Sequence, residues 1–159
     1  MNTLAQLPVL KWFMRDIPPA WMGASVLLML ALHYFFPVAQ LLEHNQRLIG
    51  FVPIIISLAL TGAAAKTLAR GGTTISPSGQ PSALVNNGIF RLTRNPMYLG
   101  MALMLTGFAL FFGSVTPLLA VVFFMLVVQR RFILREEQRL QQAFGESYID
   151  YCQQVRRWL

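Results

Sequence analysis

Charged residues withdraw from this chain in four places, each for about the 17–25 residues that an apolar helix needs to cross a bilayer. The apolar runs cover residues 21–42, 48–65, 96–112 and 117–134. Only Gly113-Ser-Val-Thr116 separates the third run from the fourth, so the two are expected to form a helical hairpin over 96–134. The interiors of these runs hold no Asp, Glu, Lys or Arg, with Arg130 and Arg131 only near the end of the fourth, and His33 is their one histidine. Pro37 and Pro53 are expected to kink the first two helices. The pattern predicts an all-α integral membrane fold of about four transmembrane helices, carried by a single domain over residues 1–159.

The segments between the runs are amphipathic or polar. Residues 1–20 read as an interfacial lead-in, with Lys11, Arg15 and three prolines ahead of any long apolar run. Trp12 and Trp21 suit the headgroup zone. That order of residues is not the basic, apolar, small-residue order of a cleaved signal peptide. Residues 66–95 form the longest polar loop, in which 71–79 reads as a linker and Ala83-Leu-Val85 as ordered. Its glycines do not have the spacing of a dinucleotide or phosphate-binding fingerprint. In the tail, residues 135–159, the apolar positions Ile133, Leu140 and Phe144 make a helical stripe that Gly145 ends. Glu136 and Glu137 stand where the stripe should continue, and burying either requires a cationic partner such as Arg91, Arg94 or a ligand ammonium. Arg131, Arg135 and Arg139 form a separate row suited to anionic headgroups. Tyr148, Tyr151, Val155 and Trp158 predict a second short helix with one aromatic face.

Composition agrees with a membrane location. Of 159 residues, 55% are hydrophobic and 12% charged, about half the charged share of soluble domains. The net charge of +7 raises the possibility of nucleic acid, but its placement argues for a membrane surface instead. Of the 13 basic residues, all but Arg47 fall before the first run, between the second and third, or from the end of the fourth onward. In a four-span protein these regions share one face, which the positive-inside rule makes cytoplasmic, both termini included. Cys152 is the single cysteine, so no internal disulfide forms, and no residues stand at metal-ligand spacing. His33 and His44 lie apart and read as structural.

The candidate chemistry sits at Gly88-Ile-Phe-Arg-Leu-Thr-Arg-Asn-Pro-Met-Tyr-Leu-Gly100. Asn95 is a favourable N-cap and Pro96 a favourable first helical residue. The motif is either an ordinary helix start with snorkelling arginines or an anion site made by the free N–H groups of the first turn.

Taken together, Leu84-Val85, Gly88-Ile-Phe90, Arg94-Asn-Pro-Met-Tyr98, Gly100, Glu136-Glu137, Leu140, Phe144-Gly145, Tyr148, Tyr151 and Val155 resemble the isoprenylcysteine carboxyl methyltransferase and phospholipid methyltransferase group. The resemblance covers about half the chain, residues 74–158. It implies an integral membrane enzyme, expected in a bacterial cytoplasmic membrane, that uses S-adenosylmethionine to methylate a lipophilic acceptor at a carboxyl oxygen or an amine. It places cofactor contacts at Leu84, Val85, Phe90, Asn95, Pro96, Met97, Tyr98 and Glu136. Arg94 and Tyr98 become candidates for aligning the reacting groups, and Arg131 and Arg135 for seating the acceptor. Two departures bear on the acceptor. The isoprenylcysteine enzymes usually carry histidine where this chain has Asn95, which cannot move a proton at neutral pH. They carry arginine where Phe132 falls. The rival readings are an NADPH-dependent sterol-type reductase and a small four-helix transporter; the charge-free helix interiors weigh against the transporter.

Overall fold

Two consecutive prolines set where the first helix begins. The computed structural model describes residues 17–72 and 83–159. In it, Pro18 and Pro19 occupy the first turn of α1 (Pro18–Phe35), where a missing N–H leaves no intrahelical bond unmade. The expected lead-in therefore gives way to helix by Pro18, and its residues 1–16 lie outside the described residues, as does most of the 71–79 linker. α1 also stops earlier than residue 42. Phe36 precedes Pro37 and leaves the helical region at φ −137°, ψ 57°, as the bulk of a following proline ring dictates. Pro37 ends the helix rather than kinking it.

After Pro37 the chain crosses the tip of the expected hairpin. Gly113 O accepts from the N–H groups of Leu41 and Leu42 (2.7 and 3.1 Å), and Val115 N donates to Ala39 O (3.1 Å). Gly113 ends α3 (Pro96–Phe112) in the left-handed conformation, φ 71°, and a Cβ there would also meet the Arg47 guanidinium. A 3-10 segment, His44–Gly50, leads directly into α2 (Phe51–Arg70). Pro53 sits in the first turn of α2 and the helix runs past it unbroken.

α2 and α3 pack closely because each offers small residues at the crossing. A Cβ on Gly107 would lie 2.6 Å from Gly50 O, and a Cβ on Gly100 would strike Thr61. Ser57 Oγ donates to Gly100 O across the same seam (2.6 Å). Such close backbone approach is how apolar helices associate where lipid removes the hydrophobic drive between them.

The fourth helix does not end at 134. α4 (Pro117–Val128) passes through a π-helical turn, Gln129–Ile133, into α5 (Leu134–Phe144), making one helical rod of 28 residues. The expected tail is thus partly a continuation of the hairpin. Gly145 breaks the rod at φ 53°, and α6 (Glu146–Gln154) turns back. Trp158 lies beyond α6, so the expected aromatic face is split between helix and strap.

Two clusters form the interior. Met29, Leu105, Phe124, Val128 and Ile133 are fully buried between α1, α3 and α4. Ala64, Phe90, Tyr148, Tyr151 and Val155 form the second, where α6 meets the end of α2. The Ile133–Leu140–Phe144 stripe is divided between them. Outward faces are apolar instead of polar, with Leu27, Ile55 and Leu119 each about 60% exposed (61%, 64% and 59%). Three helical segments, Pro18–Phe35, His44–Arg70 and Pro117–Phe144, are long and apolar enough to cross a membrane. α3, at 17 residues, is apolar and shorter. Among the described residues the only β pairing is one bridge, Gln40 to Ser114.

Candidate functional site

The start of α3 is held from outside the helix. Thr93 Oγ accepts from Asn95 N (3.2 Å) and donates to Arg157 O (3.2 Å). Arg94 N donates to Arg156 O (3.0 Å). Asn95 O accepts from Leu99 N to close the first helical turn (3.0 Å), but its side chain does not cap the helix. Its Nδ2 donates to Arg157 O instead (2.9 Å). The expected cap is therefore a tether to the C-terminal segment. The N–H groups of Met97 and Tyr98 precede the first i→i−4 bond and have no intrahelical acceptor.

The two acids part company. Glu137, 15% exposed, takes a forked pair of hydrogen bonds from Arg157 (2.9 and 2.7 Å) and an ion pair from Arg94 Nη1 (3.2 Å). The hydrogen bond to Glu137 is the main reason the Arg157 guanidinium holds its proton more tightly than usual. Arg94 Nη1 also reaches Tyr148 Oη (3.4 Å) and Cys152 Sγ, while its Nε is buried without an acceptor among the described residues. Glu136 points the other way. Its Oε2 accepts from Tyr98 Oη (3.2 Å) on α3, and Arg139, one turn on, acts on its charge. Of the expected partners, Arg94 serves Glu137, and Arg91 has no part in either pair.

These groups converge on a cavity of about 270 Å³. Phe90, Arg94, Asn95, Pro96, Met97, Tyr98 and Glu136, all expected site residues, line it. So do Pro18, Pro19, Leu68 and Met101, which sequence reasoning missed. The prolines were assigned to a lead-in, and Leu68 and Met101 carry no signal apart from being apolar. Leu84 and Val85 sit one layer back, in the second cluster beside Leu68 and Phe90. Arg131 and Arg135 are not on the wall. Arg131 lies over the Trp21 ring, 5.0 Å from its centroid. Phe132 is buried, its ring tilted against Tyr98 (6.5 Å between centroids).

Behind the wall, Tyr151 Oη donates to Phe90 O (2.7 Å), fixing that ring's backbone. Burial pushes the Tyr148 and Tyr151 hydroxyls well up, so both remain donors at any physiological pH. The cavity thus has a largely apolar and aromatic wall that also includes Glu136, Tyr98, Asn95 and Arg94. Among the described residues no His, Cys, Asp and Glu cluster could hold a metal ion.

Fold and site together define an integral membrane protein with a cavity of mixed apolar and polar lining at the start of α3. Residues 45–147 match the family model for phospholipid methyltransferases, and the chain belongs to that family. It is 32% identical over 111 residues to protein-S-isoprenylcysteine O-methyltransferase A of Arabidopsis thaliana, a match covering 67% of this chain and 55% of the plant enzyme. It is also 43% identical over 63 residues to an uncharacterised protein of Haemophilus influenzae, covering 40% of this chain and all of that one.

Proposed function

We propose that this chain is an S-adenosylmethionine-dependent methyltransferase whose acceptor is lipophilic and reaches it through the membrane. The observation that carries the reading is convergence: the helix mouth and Glu136, 38 positions apart at the Tyr98–Glu136 bond, meet on one cavity. The cofactor's parts fit what lines it. Phe90, Leu68, Met97 and Met101 suit adenine; Glu136 suits the ribose hydroxyls or the ammonium; the free N–H groups of Met97 and Tyr98 suit the carboxylate. Leu84 and Val85 support the adenine wall from behind. A phosphate-rich nicotinamide cofactor fits poorly, because Arg94 is the one guanidinium among the described wall residues and Glu137 already engages it.

When bound, S-adenosylmethionine supplies an already activated methyl group. What remains for the protein is to hold the acceptor in line and exclude water, and orientation alone can lower the barrier by roughly 7–11 kcal/mol. Tyr98 orients the Glu136 carboxylate through its hydroxyl, and the Phe132–Tyr98 contact fixes the ring. Arg94 acts as a wall residue and a bridge to Glu137. For an amine or hydroxyl acceptor, Glu136 is the one carboxylate on the wall able to receive a proton. Neither Arg131 nor Arg135 is needed to seat an acceptor in this reading.

The reading includes four spans with both termini cytoplasmic. At 1.5 Å per residue, α3 is roughly 26 Å long, close to the hydrocarbon thickness. Calorimetry on detergent-solubilised protein tests the cofactor assignment. Saturable binding of S-adenosylmethionine and none of NADPH is the expected result; the reverse overturns the proposal.

A further inference from the structure

The C-terminal segment 155–158 contributes no wall residue to the cavity, yet it touches nearly every element that does. Arg156 O accepts from Arg94 N, and Arg157 O accepts from both Thr93 Oγ and Asn95 Nδ2. The Arg157 guanidinium grips Glu137, the neighbour of Glu136 on α5. Trp158 Nε1 donates to Gln129 Oε1 (2.9 Å) in the π-helical turn, and its ring packs into the first cluster. Val155 is buried in the second cluster.

The strap therefore contacts three parts of the site at once: the mouth of α3, the acidic pair on α5, and the turn that sets the rotation of α5 relative to α4. A π turn inserts one residue and rotates everything beyond it by about 100° relative to an unbroken α-helix. That rotation decides whether Glu136 or its neighbour faces Tyr98. We propose that Arg157 and Trp158 are positioning residues for the ligand site, holding Asn95 at one side of the cavity and the Glu136 register at the other. The proposal rests on the cofactor reading above for its ligand but not for its geometry.

Two readouts test it on the full chain in detergent, using Arg157→Gln, Arg157→Lys and Trp158→Ala. The first needs no ligand. Hydrogen exchange of the Arg94 and Asn95 amides, which the strap and Thr93 protect, should speed at least tenfold in Arg157→Gln and Trp158→Ala while the interior of α3 stays protected. The second is calorimetric affinity for S-adenosylmethionine, expected to fall roughly three- to tenfold in the same two variants, since Arg157 is partly exposed and its pairing screened. Arg157→Lys keeps the charge without the fork and should recover part of both effects. Faster exchange with parental affinity, or parental exchange at these amides, overturns the proposal. A parent that does not bind S-adenosylmethionine overturns the cofactor reading instead, and the exchange measurement still decides whether the strap holds the helix mouth.

Discussion

Replacing Glu136 with glutamine changes the charge of the cavity while leaving its shape nearly intact. The side chain keeps an oxygen that can accept from Tyr98 Oη, now 3.2 Å from Oε2. What it loses is the carboxylate's charge. A hydrogen bond to a charged group contributes about 1.5–3 kcal/mol, against about 1 kcal/mol between neutral groups. If a ligand ammonium or ribose hydroxyl is bound by Glu136, Glu136→Gln should weaken S-adenosylmethionine roughly 10- to 150-fold. Folding should change little, because the bond to Tyr98 is long and is replaced by a neutral one worth only about 1 kcal/mol. Titration calorimetry gives the affinity, and a thermal melt of the same sample shows whether the fold is intact. Parental affinity in a variant that melts like the parent would refute the role assigned to Glu136.

Four further outcomes follow from the geometry. Asn95→Asp removes the donor to Arg157 O and sets a carboxylate against that carbonyl, so it should lower thermal stability more than Asn95→Ala does; equal melting temperatures would contradict the tether. Glu137→Gln leaves Arg94 and Arg157 without their anion and should cost about 1–3 kcal/mol in chemical denaturation, reduced from a fully buried pair by the exposure of Arg157; no change would contradict the ion-pair bridge. Gly107→Ala would press a Cβ against Gly50 O at 2.6 Å and should destabilise by roughly 1–3 kcal/mol in the same assay, and a neutral result would contradict the α2–α3 contact. Cys152, the only thiol in the chain, should resist a membrane-impermeant maleimide in intact cells and react after permeabilisation; labelling from outside would reverse the proposed topology.

Local rules carried the sequence reading as far as they reach. Asn95-Pro96 marked the start of α3, Gly113 its end and Gly145 the break before α6, because each of these depends on neighbours in the chain. Pro37 misled only in degree: the residue before a proline leaves the helix, so a run that stays apolar to residue 42 is helical only to Phe35. The π-helical turn was illegible, since nothing in Gln129–Ile133 distinguishes one extra residue per turn from none. Consequently the stripe that placed Glu136 and Glu137 together could not say that they face opposite ways. The side chain of Asn95 was assigned its commonest partner, a helix N–H, whereas its actual partner is a carbonyl 62 positions away. Arg157 was invisible for the same reason: its importance lies in three long-range contacts and none in its immediate neighbours.

Methyl transfer from S-adenosylmethionine to a lipophilic acceptor is the activity on which the assigned roles depend. Purified protein reconstituted into vesicles of lipid from its source membrane should be given S-adenosylmethionine labelled in the methyl group, beside a Glu136→Gln control. Label accumulating in the organic-soluble fraction with the parent, and falling at least tenfold with the variant at limiting cofactor, is the predicted result. Label that stays entirely with the water-soluble cofactor, in vesicles where the protein is folded and its membrane lipids are present, would contradict it.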